Sequence, residues 1–264
     1  MPLSDLSDPR TEQLLRSPLE LVVCQVRHEQ NMAAVDPKRA LAVRKTLGDL
    51  YPVMEEAHGQ ELTVTAGPEG LQARGAFSGG WRLQSRDRAW AVSIMPEFFS
   101  IETSNYQHWD DFKSRVHDLT EAVAKHIEPT LENRLGLRYV NRIVQPEVAA
   151  PSEWRRWLDL SLLGLAVSTV FSEHINSSQQ VIELAADVDV RVGLRHGFFR
   201  DLENDRKWTY VLDYDCFRTR GQEFSALDID DGLEQLHTLI LTCFQASITE
   251  EMYDYFRGVG TLDE

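Results

Sequence analysis

Residues 134–147 read RLGLRYVNRIVQPE, and residues 19–30 read LELVVCQVRHEQ. Both are apolar, β-branched runs of strand length. In the later run, alternation sets Arg138 and Arg142 on one face with Val140 and Val144. Leu137, Tyr139, Asn141 and Ile143 take the other face, so Asn141, if buried, needs a hydrogen-bond partner. In the earlier run Arg27 closes the strand. Each run leads into the same succession: a helix, β-rich sequence holding a tryptophan (Trp90, then Trp208), and an amphipathic helix opening at Asp110 or near Asp230. The offset between the copies is 115 residues from Arg27 to Arg142, 118 from Trp90 to Trp208 and 120 from Asp110 to Asp230. That near-constancy predicts two copies of one β-α-(antiparallel β)-α unit.

The fold class expected is therefore α+β: two repeated halves forming a curved antiparallel sheet with helices on one face. A TATA-binding-protein-like saddle is the nearest analogy of shape, and an analogy of shape carries no function. The organisation expected is a flexible lead at 1–18, a first half at 19–132, a second at 133–258 and a tail at 259–264. In the first half, Asp36 and Pro37 start a helix that runs to about Glu56. A meander then spans 61–104, with turns at Gly67-Pro68, Gly79-Gly80 and Arg86-Asp87. The helix from Trp109 buries Phe112, Val116, Leu119, Val123 and Ile127 as one stripe. In the second half, 151–164 reads as a short helix, and 168–175, 179–196, 207–219 and 223–229 as strands. Residues 196–207 read as a charged hairpin tip, and the last helix begins at Asp230.

The chain has 264 residues, 42% hydrophobic and 26% charged, which is ordinary globular composition. Its net charge of −15 opposes binding to phosphate backbones; it reads first as a generic solubility device and, more sharply, as a surface that docks on a basic partner. No apolar run approaches the roughly 18 residues of a membrane span, and the polar start of the chain lacks a signal-peptide pattern. The cytoplasm is the location expected. Three widely spaced cysteines without a CxxC pair suit reduced, buried thiols.

No phosphate-binding loop, dinucleotide fingerprint, nucleophile elbow, HExxH or EF-hand loop occurs, so no catalytic motif, cofactor or metal site is predicted. The eight histidines read as surface or hairpin residues. The carboxylates Asp228, Asp230, Asp231 and Glu234 read as complements to a helix dipole.

Two candidate sites remain. Arg27, Arg138 and Arg142 form either an anion or carboxylate clamp, in a pocket where the halves meet, or ion pairs with Glu102, Asp213 or Asp215. Phe198 and Phe199, flanked by Arg195 and Arg200 and followed by Asp201 and Glu203, read as an anchor for a protein partner. The other reading of the phenylalanines is a loop folding its own aromatics inward.

The runs LELVVCQVRHE, Trp90 with SIETSNYQHWDDF, and above all RLGLRYVNRI resemble a sporadically distributed family of uncharacterised bacterial and archaeal proteins of about this length. The strand GLRYVNRI is the most specific element, with Tyr106-x-x-Trp109-x-x-Phe112 next, and the resemblance spans nearly the whole chain. The family brings no activity with it, but its patchy distribution implies cargo of mobile elements such as defence or toxin–antitoxin systems. The function expected is a non-enzymatic cytoplasmic interaction module: an antitoxin, immunity or phage-defence subunit that binds a protein partner. The alternative is an enzyme or small-anion-binding protein, and a third is a saddle-like nucleic-acid binder.

Overall fold

The computed structural model of the protein describes residues 8–67, 70–201 and 207–259, and between 58 and 78 the backbone alone. The elements run β1 (Leu19–His28), α1 (Pro37–Thr46), β2 (Val53–Gly67), β3 (Gly70–Gln84), β4 (Trp90–Met95), β5 (Phe98–Thr103), α2 (Trp109–His126), β6 (Leu131–Val144), β7 (Ser178–Ala185), β8 (Val190–Arg200), β9 (Trp208–Glu223), α3 (Ala226–Ala246) and α4 (Glu250–Arg257). The architecture is α+β, with an open antiparallel nine-stranded sheet in the order β2-β3-β4-β5-β1-β6-β9-β8-β7. Trp90 opens β4, which β5 separates from β1, whereas Trp208 opens β9, next to β6. Their regular offset in the sequence therefore does not mark equivalent strands.

By contacts the chain divides into two compact units, each assembled from separate pieces of chain. One comprises Val23–Leu135 and Thr219–Asp231; the other comprises Met1–Val22, Gly136–Arg218 and Gly232–Glu264.

In the first of these, Asp36 caps α1 by accepting from the Lys38 amide at 2.8 Å, with Pro37 in the first turn. The helix stops at Thr46, well short of Glu56, because Gly48 takes φ +69° and the chain then extends into β2. The stripe Phe112, Val116, Leu119, Val123 and Ile127 on α2 is fully buried. Phe112 gathers Trp90, Tyr106 and Trp109 around its ring at 5.9–6.2 Å, so the Tyr-x-x-Trp-x-x-Phe motif is a packing device. Gly79-Gly80 does not turn: β3 runs through it in register with β2. A Cβ at Gly80 would collide with the Ile94 carbonyl and the Met95 sulfur, so glycine here serves the close approach of β4. The Glu29 carboxylate accepts from the amides of Thr130 (2.8 Å) and Leu131 (2.9 Å) and so fixes the start of β6. At the other end of β9, α3 begins at Ala226, earlier than expected, because the Ser225 hydroxyl accepts from the Asp228 amide at 3.3 Å. Of the strand expected at 223–229, only Glu223 is extended, as the last residue of β9.

In the second unit, 151–174 is neither a helix followed by a strand nor a loop, but four short 3-10 turns between Pro151 and His174. Short polar side chains divide it: Asp159 accepts from the Ser161 amide (2.9 Å) and Ser168 from the Val170 amide (3.2 Å), while Gly164 takes φ +48°. Trp154 and Trp157, in and just after the first turn, are buried against Tyr210 and Tyr255. Residues 179–196 fall in two strands, with the chain reversing at 186–189, and β8 continues to Arg200, so residues 196–200 are strand where a hairpin tip was expected. Within the expected lead-in, residues 10–16 are held in place. Arg10 pairs with Glu250 at 2.9 Å and stacks on Tyr253 at 3.7 Å, and the Arg16 amide donates to Phe256 at 2.8 Å, which straps this segment onto α4.

Candidate functional site

Strands β6, β9 and β8 lie side by side, and their alternation sends one set of polar residues to the outward face. Arg138 on β6 donates through Nε and Nη2 to both oxygens of Asp213 on β9, each at 2.7 Å. Arg195 on β8 stands opposite Asp213 in register and brings its Nη1 to 3.5 Å from the same carboxylate. Asp213 is buried between guanidiniums that stay half-exposed. Hydrogen bonding to Asp213 pushes the pKa of the Arg138 guanidinium up from its ordinary value, so the side chain stays charged. Further along β6, Arg142 pairs with Asp201 and lies 3.8 Å from Glu20. The Asp201 amide donates to the Lys207 carbonyl at 3.0 Å and extends the β8–β9 hairpin by one step. Arg200 stacks over the Trp208 ring at 4.3 Å.

The Arg142–Asp201 pair joins the two sequence-predicted sets, one residue from each, on a single face. Arg138 also belongs to it, and Asp213 is a partner anticipated for these arginines. Arg27 belongs to the other unit, where its Nε donates to Gln25 at 3.2 Å. Phe198 and Phe199 part company. Phe199 is 39% exposed, but Phe198 is 2% exposed and packs edge-on against Trp208 at 5.7 Å. Reading both phenylalanines as an exposed anchor is thus corrected: successive strand residues point to opposite faces, and Phe198 shares the inner one with Leu194 and His196. Glu203 lies outside the described residues.

Two histidines, His28 and His196, are buried and a third, His237, is largely covered, where the sequence pointed to surface positions. His196 is buried with its Nδ1 2.8 Å from the Tyr210 hydroxyl. His237 on α3 sits 2.9 Å from the Tyr139 hydroxyl through its Nδ1, and burial pushes it down to about 4. His28 is also lowered by burial. The alternation Leu194, His196, Phe198 carried the signal for His196. The signal for His237 was its position on the helix turn between Leu233, Leu236 and Ile240. His117 meets expectation in being partly exposed, but its Nδ1 lies 2.7 Å from Asp230 Oδ2, so Asp230 does more than complement a dipole. All three cysteines are buried free thiols; burial pushes Cys24 up to about 12 and Cys243 up to about 11. Among the described residues no group of three or more His, Cys, Asp or Glu is placed to hold a metal ion.

A carboxylate clasped by two guanidiniums is poorly disposed to act as a general base, and guanidiniums so engaged are poorly disposed to receive a free anion. The face instead offers fixed charge of both signs beside a half-exposed aromatic ring. No protein-family model matches the sequence, and no curated protein matches it. No helix among the described residues is long and apolar enough to cross a membrane. The fold and this face define an α+β protein with a charge-paired, aromatic-bearing sheet surface.

Proposed function

We propose that this protein is a non-enzymatic cytoplasmic interaction module that assembles with a protein partner of basic character, as an antitoxin, immunity or phage-defence subunit does. The observation that carries the reading is the outward face of β6, β8 and β9. Arg138, Asp213, Arg195, Arg142 and Asp201 are pre-paired there, with Phe199 39% exposed on the same face. Arginine and aromatic side chains held rigidly are the residue types that dominate the affinity of protein interfaces. The charge of −15 would speed encounter with a basic partner. The same reading includes membership of the sporadic family that the sequence resembles. It also includes descent of the two halves from one repeated unit, for which the shared order of strand, helical segment, antiparallel strands and helix is the support.

The test is affinity capture from the native host with wild type, Phe199→Ala and Arg195→Ala. Each variant should melt like wild type yet lose at least about 2 kcal/mol of affinity for one stoichiometric partner, roughly thirtyfold in Kd. Undiminished recovery with both variants rejects the face. Native mass spectrometry that finds a small anion on wild type, lost in a folded Arg138→Gln variant, would replace this reading with the ligand-binding one.

A further inference from the structure

Strand β7, SQQVIELA, ends the sheet, and among the described residues no strand pairs with its outer edge. Edge strands usually guard that side with charges, a proline or a bulge. β7 does little of this. It holds one charged residue, Glu183, and no proline. Its register with β8 is unbroken from Ser178↔Phe198 to Ala185↔Arg191. It also exposes apolar side chains, Val181 at 69% and Ile182 at 37%.

The segment beside it extends the same character. Residues 160–172, LSLLGLAVSTVFS, carry no charge in a chain that is 26% charged. Leu165, Val170 and Phe171 are each more than half exposed. A Cβ built on Gly164 would lie 3.6 Å from Gln180 Nε2, which places these turns against β7. A chain of net charge −15 repels its own copies, and a charge-poor apolar patch with an open edge is a place where two copies can meet without setting like charges together.

We propose that β7 pairs antiparallel with β7 of a second copy, about a two-fold axis normal to the sheet at Val181. Such an axis keeps each face of the sheet on its own side, so a residue must meet one of the same face, and the axis must pass through a residue position. Centred on Val181, it sets Val181 against Val181 and Gln180 against Ile182. It also sets Gln179 against Glu183 on both sides of the axis, an amide donor facing a carboxylate, and brings no like charges opposite one another. Centring on Ile182 would set Val181 against Glu183 and lose that match. Stable interfaces bury about 800 Å² per partner, more than a strand edge alone covers, so Leu165, Val170 and Phe171 complete the contact. This inference is independent of the heterologous partner proposed above and is tested on purified protein alone.

Sedimentation velocity of the full chain over about 1–100 μM should show a species of twice 30.2 kDa. Val181→Lys should convert it to monomer while circular dichroism and melting stay those of wild type. Val181→Cys should cross-link to its own copy under mild oxidation, because the axis sets the thiol opposite itself and the native thiols are buried. Val188→Cys, at a position 85% exposed but outside the paired register, should not cross-link. A wild-type monomer throughout that range, a dimer that survives Val181→Lys, or equal cross-linking at 188 and 181 overturns the proposal.

Discussion

Arg138 clasps Asp213 across the neighbouring strands β6 and β9, Nε to one carboxylate oxygen and Nη2 to the other, both at 2.7 Å. The two ends are unequal: the carboxylate is buried and the guanidinium half-exposed. Arg138→Ala leaves a buried charge with Arg195, at 3.5 Å, to compensate it. It should cost about 1–3 kcal/mol, at the lower end because solvent reaches the pair. Asp213→Ala should cost less, since the freed guanidinium can hydrate. The double variant should lose less than the sum of the singles in urea unfolding. Strict additivity would show that the clasp contributes no coupling.

Phe198 and Phe199 are adjacent in sequence and opposite in role. Phe198→Ala empties a site between Trp208 and Tyr210 and should cost about 3–5 kcal/mol. Phe199→Ala, on the outer face, should stay within about 0.5 kcal/mol. Thermal melting of the two single variants decides it, and similar losses would mean that the strand faces are assigned wrongly.

Leu119 stands at the middle of the buried stripe of α2. Leu119→Ala should cost about 2–5 kcal/mol. A melting temperature equal to that of wild type would refute the packing described for this helix.

His237 gives stability a dependence on pH. Burial holds it at about 4 in the folded chain, below the ordinary histidine value of 6.5. Between those values the unfolded chain binds the proton more readily, so stability rises with pH there. The contribution is complete above about 6.5, shrinks as pH falls, and levels off below about 4. Its size is at most about 3.5 kcal/mol, from a shift of about 2.5 at about 1.4 kcal/mol per pH unit. His28 and His196, also lowered by burial, act in the same direction. Urea midpoints at about pH 7.5 and about pH 5 should converge in His237→Gln relative to wild type. An unchanged gap would exclude His237 as a source.

The features legible in the sequence alone are those that depend on near neighbours. Two-residue alternation placed Arg138 and Arg142 outward and Leu137, Tyr139, Asn141 and Ile143 inward, and the structure pairs Asn141 with the Leu212 carbonyl at 3.2 Å. The three- and four-residue spacing of α2 located its buried stripe, and Asp36-Pro37 located the start of α1. Each is a short-range regularity of a strand, a helix or a cap, carried by residues within a turn of one another.

Only tertiary structure decided the rest. That Gly79-Gly80 runs straight comes from the approach of β4, and that 151–174 breaks into capped turns was hidden by its apolar content. The meeting of Arg142 with Asp201, and of Arg10 with Glu250, joins residues 59 and 240 positions apart. Which strands become neighbours, and so which charges face each other, is settled by how the whole chain buries its apolar faces, and no local pattern encodes that choice.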